Sequence, residues 1–264
     1  GRKTYDFLPA DNPAKADVLY FAGCMTHLTP SIKNAMIKIL DASGVKWSFI
    51  DEQGGVCCGR PLMLAGQDRE ARELINYNSQ LMWKSGAHTL VTSCPICYKI
   101  FRESYYLDVE VLHHSQFIRN CIDDGSLQMK FLHRKVTYHT PCELGRGSGV
   151  YDEPKDVLKH VANYEATGFE DEKSLCCGGS LGNIELSQQN KRRIAYDVVT
   201  ELTRKNPDFL ATACPLCKKT LASVTTATRV ADIAELVAEA IVIPVPKKNS
   251  LRFRKPVRES AGIH

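Results

Sequence analysis

One arrangement of cysteines is used twice in this chain. Cys24, Cys57-Cys58-Gly59 and Cys94-Pro95-Ile96-Cys97 return as Cys142, Cys176-Cys177-Gly178 and Cys214-Pro215-Leu216-Cys217, displaced by 118, 119 and 120 residues. The flanks repeat too: Val18-Leu19-Tyr20-Phe21-Ala22-Gly23 aligns with Val136-Thr137-Tyr138-His139-Thr140-Pro141, and Thr92-Ser93 with Thr212-Ala213. Ten of the eleven cysteines are paired off by one near-constant shift, which chance does not produce. The sequence therefore divides into a first cysteine-rich module (1–125), a second (126–243) and a basic tail (244–264). At 264 residues, two modules of this size can each bury an adequate core without covalent staples.

Composition narrows the classes. Hydrophobic residues at 44% and charged residues at 24% fit a globular chain, and no apolar run reaches the roughly 18–20 residues of a membrane helix. The net charge of +4 belongs to the end of the chain: residues 243–264 carry +5, leaving −1 for the rest. A nearly neutral body gives nucleic-acid binding little support. The tail reads as a solvated extension, or as a docking arm for an acidic partner or membrane phosphates. No secretory leader is visible, and the expected setting is cytoplasmic, with any attachment to the inner membrane face made through a partner subunit.

Each module alternates strand and helix signals. Ala16–Phe21 is a short β-leaning run ending near Cys24. Ala35, Met36, Ile39 and Leu40 follow at helical spacing, with Gly44 placed as a C-cap. Trp47–Ile50 is the next strand. Ala71, Leu74, Ile75, Leu81 and Met82 mark a longer helix, His88–Thr92 runs into Cys94, and Val109–Leu112 precedes a helix through Phe117, Ile118 and Cys121. In the second copy Ile194, Ala195, Val198, Val199 and Leu202 form the helix face, and Phe209–Thr212 the strand. The expected fold class is α/β: two duplicated modules, each a small parallel sheet flanked by helices, related by pseudo-two-fold symmetry. Reactive groups in such sheets gather at the carboxyl ends of strands, where Cys24, Cys94, Cys142 and Cys214 fall.

Five thiols per module exceed the four ligands of a structural zinc site. Adjacent cysteines are awkward ligands for one small ion and suit a larger object whose separate atoms each take a ligand. An iron–sulfur cluster is such an object, and a fifth thiolate implies an unusual or thiolate-bridged one. Zinc in one or both modules remains a second reading of the same donors. Disulfides would leave an odd thiol in each module. Gly54, Gly55, Gly59, Gly178 and Gly179 let backbone approach such a cluster, with N–H groups free to point at sulfur. Pro95 and Pro215 fix the backbone between paired ligands. Cys121, outside the pattern, reads as core.

Taken together, these residues resemble the cysteine-rich CCG domain pair of the B-type and D-type polypeptides of heterodisulfide reductases, found also in iron–sulfur components of glycolate, lactate and anaerobic glycerol-3-phosphate oxidising complexes. Thr137-Tyr138-His139-Thr140-Pro141-Cys142-Glu143-Leu144-Gly145-Arg146, continuing to Gly149-Val150-Tyr151-Asp152, is especially similar to the D type. The resemblance implies an oxidoreductase subunit with two non-cubane [4Fe–4S] clusters, held by Cys24, Cys57, Cys58, Cys94 and Cys97 and by Cys142, Cys176, Cys177, Cys214 and Cys217. It implies a small disulfide substrate cleaved between the modules. It also implies electrons from ferredoxin-type clusters, whose C-x-x-C-x-x-C-x-x-x-C run this sequence lacks; a partner subunit carrying such clusters, or a flavin, is expected to supply them.

Around the ligands, Arg60 and Arg146 are candidates for binding an anionic substrate group or balancing cluster charge. His27 and His139 are candidates for donating a proton to a departing thiolate. The first copy reads Cys24-Met25-Thr26-His27 where the second reads Pro141-Cys142-Glu143-Leu144, so the modules need not be equivalent, and zinc or an ordinary cluster in one of them stays open. Three functions compete: a disulfide reductase subunit, an electron relay between a flavoprotein dehydrogenase and quinone, and a zinc-stabilised interaction module.

Overall fold

The computed structural model describes residues 14–54 and 56–242. The first module runs β1 (Val18–Phe21), α1 (Gly23–His27), α2 (Pro30–Ser43), β2 (Trp47–Phe49), α3 (Arg60–Leu64), α4 (Asp68–Ser85), β3 (Thr89–Thr92), α5 (Pro95–Glu103), β4 (Glu110–His113) and α6 (His114–Asp123). The second runs β5 (Lys135–His139), α7 (Gly145–Ser148), α8 (Asp152–Val161), β6 (Asn163–Tyr164), α9 (Gln188–Leu202), β7 (Phe209–Thr212), α10 (Pro215–Ala222), β8 (Arg229–Asp232) and α11 (Ile233–Ala240). A 3₁₀ turn, Leu181–Asn183, stands in the second module where α3 stands in the first.

Each module is one four-stranded, all-parallel sheet, in the orders β2-β1-β3-β4 and β6-β5-β7-β8. The expected α/β duplication is what forms, with strand ends displaced by a residue or two from the apolar runs. Gly44 closes α2 at φ 72, the left-handed conformation that glycine reaches without a Cβ penalty. Pro95 and Pro215 open α5 and α10, where a missing N–H costs nothing.

Period-two alternation decides which side of each sheet faces which core. Val18 and Tyr20 of β1, Val91 of β3, Val136 and Tyr138 of β5, and Phe209 and Ala211 of β7 join one continuous cluster shared by both modules. Leu19, Phe21 and Leu90 face a second cluster belonging to the first module, and Leu210 a third belonging to the second. Both sheet faces are covered, as all-parallel sheets require.

The shared core is filled by helices that obey a pseudo-two-fold axis. The second helix of each module, α2 or α8, packs on the last helix of the other, α11 or α6. Lys38 Nζ donates to the Ala238 carbonyl across this seam at 2.6 Å. The same axis sets α1 against α10 and α5 against α7, so the cysteine-bearing ends of the two modules abut.

A shared core predicts shared stability. Met36, fully buried in the common cluster, should cost about 2–5 kcal/mol when cut to alanine. Calorimetry should show one unfolding transition moved as a whole by Met36→Ala. Two separate transitions, of which only the first moves, would show that the modules fold independently.

Candidate metal centre

Parallel pairing places the carboxyl ends of β1 and β3 side by side, with Phe21 opposite Thr92, and those of β5 and β7 likewise, with His139 opposite Thr212. Each strand then turns into a cysteine. Cys24 lies in α1, Cys94 caps α5 and Cys97 sits in its first turn. Cys142 lies in the turn before α7, Cys214 caps α10 and Cys217 follows. The double cysteines arrive on the loops before α3 and before the 3₁₀ turn.

The thiols converge in the same order twice. Cys24 contacts Cys57, Cys57 contacts Cys58, Cys58 contacts Cys97, and Cys97 contacts Cys94. In the second set Cys142 contacts Cys176, Cys176 contacts Cys177, and Cys217 touches both Cys177 and Cys214, with Cys177 Sγ and Cys217 Sγ 3.3 Å apart. Burial follows the same gradient: Cys58, Cys94 and Cys97, and Cys177, Cys214 and Cys217, are buried. Cys24 is exposed, and Cys57, Cys142 and Cys176 are half-buried, so each set has an inner wall and an accessible lip.

Side by side, these thiols cannot all ionise. Hydrogen bonds from Cys142 and Cys177 pull Cys176 down to about 2, and the same contact with Cys176 pushes Cys177 up to about 12. In the first set, contacts with Cys57 and Cys97 pull Cys58 well down, while contacts with Cys58 and Cys94 push Cys97 well up. Five thiolates in one buried group need a cationic centre to hold them. Among the described residues no three His, Cys, Asp or Glu side chains are arranged about a single ion position. A string of five sulfurs fits the donor chemistry of a multi-iron, thiolate-held core, whose atoms would replace the S–H···S contacts.

Backbone groups complete each set. Gly59 N–H and Gly178 N–H each point at the sulfur two residues back, Cys57 or Cys176, at 3.4 Å. Both glycines have positive φ, 96 and 79. A Cβ on Gly179 would stand 2.4 Å from Thr220 Oγ1, so that residue must stay small. Gly55 lies outside the described residues, as does the basic tail.

The loops are held differently in the two modules. Tyr105 donates to the Cys58 carbonyl at 3.1 Å, and Asn78 Nδ2 lies 2.9 Å from the Cys57 carbonyl and 2.8 Å from Tyr105 Oη. Asp51, buried, accepts from Ala22 N–H and Gly23 N–H at 2.9 and 2.8 Å and fixes the turn into Cys24. Sequence reading missed all three; only Gly23, directly before a ligand, carried a hint. At Gly23 φ is 73 and a Cβ would come within 3.1 Å of Cys97 Sγ.

In the second module two residues singled out from sequence take over this task. His139 Nε2–H donates to the Leu175 carbonyl, one residue before Cys176, at 3.0 Å. Arg146 donates to the Ser174 carbonyl and hydroxyl at 2.7 and 2.6 Å. Burial holds His139 down at about 4. His27 differs: its Nε2 lies 3.3 Å from Asp51 Oδ2, whose hydrogen bond raises its pKa above the ordinary value. Arg60 occupies the first turn of α3, beside Gly59.

The second set opens into a small cavity lined also by Pro141, Glu143, Leu216 and, from the first module, Ile96. Lys99 of α5 faces Glu143 across this seam at 3.7 Å. A cavity of about 600 Å³ between α2 and residues 125–128 contains no cysteine.

The state of His139 has a measurable consequence. A histidine whose folded pKa lies below its ordinary ~6.5 favours unfolding when protonated, so stability is intact above pH ~6.5 and falls as pH drops towards 4. Between pH 7 and 5 this one group should cost about 2 kcal/mol. Urea melts of wild type and His139→Gln, which keeps a donor for Leu175, should differ in pH slope by that amount. Equal slopes would mean that His139 is not held neutral. His113, also pushed down by burial, contributes to both proteins alike and cancels.

Comparison with known proteins agrees with this geometry. The family described as Cysteine-rich domain, CCG, matches residues 18–102 and 136–222. The D-type polypeptide of the dihydromethanophenazine:CoB–CoM heterodisulfide reductase of Methanosarcina mazei is 32% identical over 244 residues, covering 86% of this chain and 59% of that protein. The B-type polypeptide of the fumarate reductase (CoM/CoB) of Methanothermobacter marburgensis is 31% identical over 204 residues, covering 75% and 40%. EtfAB:quinone oxidoreductase of Syntrophomonas wolfei is 28% identical over 262 residues, covering 91% and 36%. The chain thus spans about three fifths, or less, of the length of these relatives. With two matches of the family, one on each sheet, the chain belongs to the cysteine-rich CCG domain family and carries its domain twice.

Proposed function

We propose that this chain is an iron–sulfur oxidoreductase subunit that reduces a disulfide at the seam between its modules, with one non-cubane [4Fe–4S] cluster in each five-cysteine set. The observation that carries the reading is the pair of five-thiol sets at abutting sheet edges, each with an accessible lip. The similarity to the D-type polypeptide of heterodisulfide reductases supports it. Bound clusters would supply electrons to the disulfide one at a time.

The remaining work falls to side chains of this chain. The substrate enters over the edge formed by exposed Cys24 and half-buried Cys57 and by half-buried Cys142 and Cys176. Ile96, Leu216 and Pro141 exclude water from the second set. His27, polarised by Asp51, donates a proton to the thiolate leaving on the first side. His139, neutral and bonded through Nε2, and Arg146 position the loop that carries Cys176 and Cys177. Arg60, in the first turn of α3 beside Gly59, binds an anionic group of the substrate. Electrons come from a partner subunit with ferredoxin-type clusters or flavin.

A second reading is favoured by the similarity to EtfAB:quinone oxidoreductase: the sets relay electrons towards quinone and cleave nothing. Rapid mixing of the reduced protein with small disulfides separates the two. Thiol release in a single turnover is expected. Reduction by a flavin partner without thiol release from any disulfide would establish the relay. Zinc without acid-labile sulfide in anaerobically purified protein would remove both.

Ligation by five thiolates predicts that Cys58→Ser and Cys177→Ser each abolish one cluster's electron paramagnetic signal and leave the other. If either variant keeps both signals, that cysteine is not a ligand.

A further inference from the structure

Beyond the cysteine sets, the most unusual buried chemistry is at the junction of the modules. His114, the first residue of α6, donates from Nε2 to Asp232 Oδ1 at 2.9 Å, and both side chains are fully buried. Asp232 caps α11, and the same Oδ1 accepts from Ala234 N–H at 2.9 Å. A carboxylate only accepts, so His114 Nε2 carries the proton of this bond. The other ring nitrogen, Nδ1, has no partner, and neither have Asp232 Oδ2 nor Tyr138 Oη beside the pair. Buried, half-satisfied polar groups cost stability. Neither residue belongs to a cysteine motif; Asp232 is the counterpart of His113, each ending its sheet's edge strand and capping the next helix, while Ile233 stands where the repeat places His114.

The pair lies at the edge where the thiols gather. Asp232 pairs with Thr212, two residues before Cys214, and His113 with Thr92, two residues before Cys94. Tyr138 feels the charge of Asp232 and of Cys217 and Cys214 together, so pair and set are within electrostatic reach.

We propose that His114 and Asp232 form a proton store that takes up one proton when the second cysteine set is reduced and releases it when the disulfide is cleaved. This rests on the function proposed above. The overall reaction, RS–SR′ + 2e⁻ + 2H⁺ → RSH + R′SH, consumes two protons with the two electrons from the redox partner. Negative charge added at the second set draws a solvent proton to His114 Nδ1, giving an imidazolium against the Asp232 carboxylate. On cleavage that proton passes to one product thiolate and Nδ1 regains its lone pair. The second proton comes from elsewhere, with His27 on the other side.

The surrounding groups leave Nδ1 as the open position. His113 on β4 is kept neutral by burial, while Tyr138 on β5 and Tyr20 on β1 are kept protonated by burial. Glu235 on α11 is paired with Lys218 of α10 at 2.5 Å. Glu153 on α8 accepts from Gln116 Nε2.

The test is the pH dependence of the reduction potential of the second-set centre in the anaerobically iron- and sulfide-loaded full chain. In wild type the potential should fall as pH rises. In His114→Gln and in Asp232→Asn the slope should be lost, with iron content and the first-set potential unchanged. Redox-difference infrared spectra of wild type labelled in histidine should show an imidazolium band on reduction, which needs neither variant to fold. A slope retained in a variant that binds iron normally, or no histidine band on reduction, overturns the proposal. These readouts involve no disulfide: a protein that shows the slope yet releases no thiol loses the assigned reaction and the release step and keeps the proton uptake.

Discussion

The structure depends on parallel pairing of β1 with β3 and of β5 with β7. In a parallel sheet every strand leaves at the same edge, so residues about seventy positions apart in sequence are forced into one neighbourhood. Phe21 opposite Thr92, and His139 opposite Thr212, bring the chain segments that carry Cys24 and Cys94, or Cys142 and Cys214, to a common rim. Helices begin there, and a helix start has spare N–H groups. The glycines after the double cysteines add further N–H groups aimed at sulfur. A site for electron-rich sulfur is thus a consequence of topology before any particular side chain is considered.

The second constraint is the shared core. One such sheet with one row of helices would leave the opposite helix faces bare. Crossing α2 over α11 and α8 over α6 buries those faces against each other. The axis that satisfies the core also turns the two cysteine rims together, with Ile96 of one module against the thiols of the other. Packing and site are therefore one solution, and a single module would lack both the shared core and the seam.

This explains what could be read from sequence. The repeat, the alternation of strands and helices and the ten cysteines were legible because each rests on local pattern: period two, period 3.6, or identical residues at a constant shift. The short helices α1, α3 and α7 left no periodic trace in four or five residues. Asp51, Asn78 and Tyr105 were invisible for a different reason. They hold the cysteine loops by single hydrogen bonds to backbone, and the second module uses His139 and Arg146 for the same task, so no repeated signal marks them. The repeat preserves what touches the thiols and lets the supports drift.

That drift makes the two sets electrostatically unlike. Beside the first, a buried carboxylate, Asp51, faces the turn into Cys24, with its charge taken up by two backbone N–H groups and His27. Beside the second, a guanidinium, Arg146, is bonded to the loop before Cys176, and the carboxylate of Glu143 is paired with Lys99. In a low-dielectric rim a cation stabilises added negative charge and an anion opposes it. The backbone is symmetric and the field is not.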